Sequence, residues 1–158
     1  MKILAIDPGP ESSAYVIWDG KTILNSGIVL NGVLNVSIIH NTDADICLIE
    51  MIESYGMPVG RDVFETVFWI GRFYESWVNP EPSLSGRLYG QIQRAPRGQI
   101  KLHHCHSRRA KDSNIRAALI DKYGKPGTKK NPGVTYGLKE DLWAAFALAT
   151  FWSETHYT

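Results

Sequence analysis

The sequence predicts an α/β protein, a five-stranded mixed sheet flanked by helices, folded as one domain over residues 1–158. Three observations carry this reading. Two unbroken apolar runs, Ile3-Leu4-Ala5-Ile6 and Ile46-Cys47-Leu48-Ile49, have the composition of central strands covered on both faces. Between them, two strand-like segments are joined by Asp19-Gly20, a signal for a tight hairpin turn. Beyond them, helical periodicity and strand signals alternate, the pattern of a sheet with helical layers. The 158 residues, 44% hydrophobic and 21% charged, have the balance of a single soluble core.

The first strand occupies 1–9 and stops at Asp7-Pro8-Gly9, since Pro8 cannot donate to a ladder and Gly9 and Pro10 break regular structure. Segments 13–18 and 22–30 complete an antiparallel meander with it, and 33–40 is a short helix. The strand 46–50 parallels the first and, like it, ends on a carboxylate. A long helix follows over 60–77, with Pro58 near its start and Asn79-Pro80 beyond its end. Val63, Val67, Ile70, Tyr74 and Trp77 lie along one seam of it, while Phe64, Phe68, Trp69 and Phe73 widen the apolar surface beyond one stripe. That surplus calls for a second contact, either a subunit partner or the 79–98 segment. The fifth strand is expected at 99–103 and a helix at 111–123, closed by Gly124. A glycine-, proline- and lysine-rich loop at 125–137 reads as mobile. The last helix, over 138–152, carries Ala144, Ala145, Ala147 and Ala149, which permit close approach to the sheet.

The net charge of +1 hides a strong asymmetry. Residues 1–86 hold four basic against eleven acidic side chains, and residues 87–158 thirteen against five. The basic excess from Arg87 to Lys130 suits a polyanion partner, with Arg94, Arg97, Lys101, Arg108, Arg109, Lys111, Lys129 and Lys130 as candidate phosphate contacts; a solvated surface is the bland alternative. No apolar run approaches the ~18 residues of a membrane span, and no secretory signal is visible, so a cytoplasmic protein is expected. Cys47 and Cys105 read as reduced thiols.

The chemistry rests on carboxylates. Asp7 and Glu50 each stand at the carboxyl end of a buried strand, the edge where ligand sites of open α/β sheets lie. If the strands are neighbours, about 4.8 Å apart, the two side chains converge. Paired carboxylates in a partly desolvated place repel one another, and a divalent cation such as Mg²⁺ relieves them. Asp141, in the first turn of the last helix, is a third candidate ligand, with Glu140 its immediate rival and Glu53 a further acid near the site. Asp7 as a turn cap and Asp141 as a helix-dipole partner are the structural alternatives. His103-His104-Cys105-His106 invites a zinc reading, but neighbours on a strand point to opposite faces and no second ligand pair exists, so no zinc is expected; His103 or His106 could instead contact phosphate or move a proton.

Ile6-Asp7-Pro8-Gly9, Leu48-Ile49-Glu50, Ile70-Gly71-Arg72, Ala110-Lys111 and Asp141 before an alanine-rich helix resemble the RuvC-type Holliday junction resolvases of the RNase H-like superfamily. Ser54-Tyr55-Gly56-Met57-Pro58-Val59-Gly60-Arg61 and Ala110-Lys111-Asp112-Ser113-Asn114-Ile115-Arg116 resemble a bacterial and bacteriophage branch of that family. The resemblance spans nearly the whole chain. It implies an RNase H-like fold and a homodimeric, Mg²⁺-dependent endonuclease that cuts opposed strands of a four-way DNA junction, with Mn²⁺ able to substitute. It also implies that Asp7, Glu50 and Asp141 fall on metal-ligand positions and Lys111 near the scissile phosphate. The helix at 60–77 would then carry the dimer contact, and Phe68 and Trp69, like Phe64 and Tyr55, are placed to wedge or stack at unpaired bases. One departure stands out: the family's second acid on the last helix is missing, because Ala144 and Leu138 stand a turn either side of Asp141. Glu53, Glu140 and Asp112 are the candidate substitutes. A junction-binding protein of the same fold, with little or no catalysis, is the alternative.

Overall fold

A computed structural model describes residues 1–80 and 90–156. Its strands are β1 (Ile3–Asp7), β2 (Ser12–Trp18), β3 (Ile23–Leu30), β4 (Ile46–Met51) and β5 (Gln91–Pro96), in the spatial order β3-β2-β1-β4-β5. β1, β2 and β3 form an antiparallel meander, and β4 and β5 extend the sheet in parallel with β1. The β2–β3 turn is held by Asp19, whose Oδ1 accepts the N–H groups of Lys21 and Thr22 at 2.8 and 2.7 Å, with Gly20 at φ +97°.

Alternation along the strands separates two apolar layers. Ile3, Ala5, Ile46 and Leu48 face the helices α3 (Arg97–Cys105), α4 (Asp112–Tyr123) and α5 (Leu142–His156), meeting Ile100, Ile115, Leu119 and Phe146. Leu4, Ile6, Cys47 and Ile49 face the opposite layer, built by α1 (Asn31–Val33), its π-helical continuation Leu34–Ile39 and α2 (Arg61–Val78) through Ile70, Phe73 and Trp77. Ala145, Ala147 and Ala149 are fully buried where α5 lies on the sheet. Cys47 and Cys105 are unbridged. Among the described residues, no helix is long and apolar enough to cross a membrane.

Two expected elements move. The fifth strand is 91–96, and 99–103 lies inside α3. As the outer strand of the sheet, β5 leaves Gln91, Gln93 and Arg94 exposed and so lacks an apolar signature. On α3, Ile100 is buried in the core and Leu102 is exposed. The last helix starts at Leu142 rather than 138, after a turn in which the Leu142 N–H bonds to the Lys139 carbonyl at 2.9 Å and Glu140 adopts φ +46°. Asp141 therefore stands just ahead of the helix, not in its first turn. Of the 79–98 segment offered as cover for α2, residues 81–89 lie outside the described residues, while the Trp77 indole N–H donates to the Gly90 carbonyl at 3.0 Å. The 125–137 segment carries its own backbone pairing, Gly133 N–H to the Pro126 carbonyl at 2.8 Å, and buries Thr135, whose hydroxyl donates to the Gly124 carbonyl at 3.0 Å.

Candidate active site

The register of the parallel pair fixes the first two acids. Ile6 pairs with Ile49, so Asp7 and Glu50 leave adjacent strands side by side. Since Ile6 and Ile49 point into the α2 layer, alternation turns Asp7 and Glu50 to the other face, that of Ala5 and Leu48, where α5 packs. Asp141 stands near them in the turn just ahead of α5, close enough for its charge to be felt at Asp7, its carbonyl accepting the N–H groups of Ala144 and Ala145 at 3.1 and 3.2 Å. A small cleft at this rim is lined by Asp141, Glu140, Asp112, Arg97 and Trp143.

Arg97 occupies the middle of the cluster. It is the first residue of α3, directly after Pro96, and the pairing of Met51 with Pro96 sets it beside the end of β4. Its Nη1 donates to Glu50 Oε1 at 2.7 Å and its Nη2 to Asp112 Oδ1 at 2.6 Å. Lys101 adds a more distant contact, 3.9 Å from Asp112. Glu50 is only 8% exposed. Burial pushes its carboxyl above the usual carboxylate range, and the Arg97 guanidinium opposes that rise. Asp7 is pushed up to about 8, first by burial and then by the Glu50 charge; Arg97 offsets part of this, while Asp141 and Asp112 add to it. Arg97 is itself raised: burial disfavours its charge, but the Glu50, Asp112 and Asp7 carboxylates outweigh that.

These residues suit a hard divalent cation. No side-chain hydrogen bond among the described residues reaches Asp7, so its carboxylate sits partly desolvated and under-compensated, the condition that oxygen-seeking Mg²⁺ relieves. Asp7, Glu50 and Asp141 are the oxygen donors that would hold it, but among the described residues no three carboxylates of this rim bring their ligand oxygens within 4.8 Å of one another, so gathering around an ion would take side-chain rotation. Asp112 and Glu140 border the same cleft and stand where a fourth ligand would be sought. Glu53 is committed elsewhere: its Oε2 accepts the Gly98 N–H at 2.7 Å and the Tyr55 hydroxyl at 3.2 Å, and its Oε1 lies 3.5 Å from Arg108.

The remaining candidates spread around this rim and beyond it. Lys111 precedes α4, exposed, its N–H donating to Asn114 Oδ1 at 2.9 Å. Arg94 is exposed on β5 over the Tyr74 ring at 5.8 Å, and Arg109, Lys129 and Lys130 are exposed in loops. Phe68 is exposed on α2, and the Arg72 guanidinium lies 4.4 Å from the Trp69 ring centre. His103 and His104 lie on a helix, not a strand, so the argument that neighbours diverge does not apply: their ligand atoms and those of Glu154 come within 4.8 Å of one another. Glu154, however, already accepts from His103 at 2.7 Å, the Tyr123 hydroxyl at 2.5 Å and the Lys122 ammonium at 2.6 Å, and an ammonium there stands against a metal. Burial alone would raise its carboxyl, but the bonds from Lys122, Tyr123 and His103 pull it down to about 2. The cluster is a staple between α3, α4 and α5.

A meander of three strands continued by two parallel ones, with helices on both faces, defines the RNase H-like fold. Among solved structures, the chain is similar to Thermus thermophilus RuvC, with a TM-score of 0.66 and 15% identity over 98% of this chain and 96% of that one. It is also similar to T. thermophilus RuvC in complex with Holliday junction substrate, with a TM-score of 0.60 at the same identity and coverage. No family model matches the sequence, and comparison with curated proteins found no match.

Proposed function

We propose that this protein is a divalent-metal-dependent DNA endonuclease of the RuvC type, resolving four-way junctions. The observation that supports it is the placement of Asp7, Glu50 and Asp141 at one rim of the sheet, near enough to raise the Asp7 carboxyl, in a chain whose fold matches that of RuvC nearly end to end. Cations held there would activate water and stabilise the leaving oxygen of a phosphodiester. The chain's own residues do the rest. Asp7 and Glu50, placed by strand register, and Asp141, in the turn just ahead of α5, would supply the ligands once their side chains turn toward the ion. Lys111, exposed at the start of α4, would help neutralise charge developing on the phosphate. Arg94, Arg108, Arg109, Lys129 and Lys130 supply phosphate contacts that fix position without reading sequence, so affinity should fall steeply with salt. Lys101 serves the carboxylate cluster at least as directly as the DNA.

The working unit on this reading is a homodimer, acting in the cytoplasm of a bacterium or of a phage-infected host, with Mg²⁺ as the ion and Mn²⁺ able to replace it. Phe64 and Phe68 are 66% and 59% exposed on α2, next to Val67 and Tyr74, an apolar face wide enough to seek a second subunit. The alternative, a junction-binding protein with little catalysis, is favoured by one observation: Arg97 already neutralises part of the acidic cluster.

The test is cleavage of a synthetic four-way junction with Mg²⁺ or Mn²⁺, against flap and linear DNA. Paired symmetric nicks are expected, and Asp7→Asn should abolish cutting while junction binding persists. Tight metal-independent binding with no nick under either cation would leave the binding-only reading in its place.

A further inference from the structure

We propose that Arg97 is the resident counter-ion of the carboxylate site and competes with the divalent cation for Glu50. This deepens the metal-site reading and rests on it. The guanidinium spans two acids through one charge-assisted hydrogen bond to each, Nη1 to Glu50 at 2.7 Å and Nη2 to Asp112 at 2.6 Å. Glu50 is nearly buried, so its Oε1 serves one cation at a time, and a guanidinium and a metal ion a few ångströms apart in so dry a place repel each other.

The backbone under Arg97 is fixed while its side chain is not. Glu53 Oε2 accepts the N–H of Gly98, the second residue of α3, and a Cβ built on Gly98 would lie 2.6 Å from that same oxygen. The helix start is therefore seated closely on Glu53. The Arg97 side chain, by contrast, is 32% exposed, which leaves it a route outward once Glu50 changes partner. In the metal-free protein, Arg97 keeps Glu50 and Asp112 from repelling each other and holds Glu50 where the ion will need it. When the ion enters, the guanidinium is released toward solvent.

Two measurements on DNA-free protein test this. In calorimetric titration with Mn²⁺ alone, Arg97→Gln should bind about tenfold more tightly than the natural protein, the lower range for coupled charge pairs that retain some solvent contact. In the natural protein, the Arg97 Nε–H resonance should shift on saturation with Mg²⁺, a readout that needs no variant to fold. Equal or weaker Mn²⁺ affinity in Arg97→Gln, or an Arg97 resonance unmoved at saturating Mg²⁺, overturns the competition while leaving the metal site standing. Failure of both proteins to bind either ion overturns the metal site and this inference together.

Discussion

Replacing Asp7 with asparagine should stabilise the metal-free protein, and increasingly so as pH rises. The Asp7 carboxyl titrates near 8 in the folded chain against 3.8 for an unperturbed group. Between those values the native state holds a proton that the unfolded chain has released, so stability falls as pH climbs through the interval. At 1.36 kcal/mol per unit, the penalty has a ceiling of about 4 kcal/mol at pH 7 and vanishes near pH 4. The side chain is only part-buried, so water relieves some of it, and about 2 kcal/mol is the expected gain for Asp7→Asn at pH 7. For a chain of this size that is a rise in Tm of roughly 4–8 °C. Thermal unfolding in EDTA at pH 5, 7 and 8 reads it directly. Added Mg²⁺ should then reverse the order, because the natural protein gains binding free energy that the variant cannot. A variant no more stable than the natural protein at pH 8, or equally stabilised at pH 5 and 8, would refute the claim that the fold disfavours ionised Asp7.

Two further outcomes follow from the same charges and surfaces. Glu154→Gln should lower stability by about 2 kcal/mol at pH 7 through loss of charge-assisted bonds; because the native carboxyl titrates near 2 rather than 4.5, the natural protein's advantage should shrink as pH falls from about 4.5 toward 2, as followed by thermal unfolding. The double substitution Phe64→Asp and Phe68→Asp should leave the fold intact, since both side chains are exposed, yet convert the proposed dimer to a monomer by light scattering; a natural protein monomeric at tens of micromolar would remove the dimer from the reading.

The inner strands were legible because burial on both faces writes itself as an unbroken apolar run: Ile3–Ile6 and Ile46–Ile49 needed no other signal, and the acids after them stood out against it. The outer strand was not, because solvent on its free edge allows Gln91, Gln93 and Arg94, and the strand expected at 99–103 lies inside a helix. That one misplacement hid Arg97. Among many basic residues it reads as a phosphate contact, yet it stands one residue past the end of β5 and reaches Glu50 at the end of β4. Had 91–96 been read as a strand, a charged residue at its carboxyl end would have belonged to the same rim. Glu154 was invisible for another reason: its three partners come from 31 to 51 residues away in sequence for Tyr123 and His103, and no local pattern marks such a meeting.

The joint between β5 and α3 has no slack, for Pro96 closes one regular element and Arg97 opens the next. A residue mounted this way can trade partners only by turning about its own side-chain bonds, a motion of picoseconds to nanoseconds rather than the microseconds or longer of a domain hinge. Loading of an ion would then be paced by breaking the two ion pairs and by the ion's own dehydration, not by any movement of the fold.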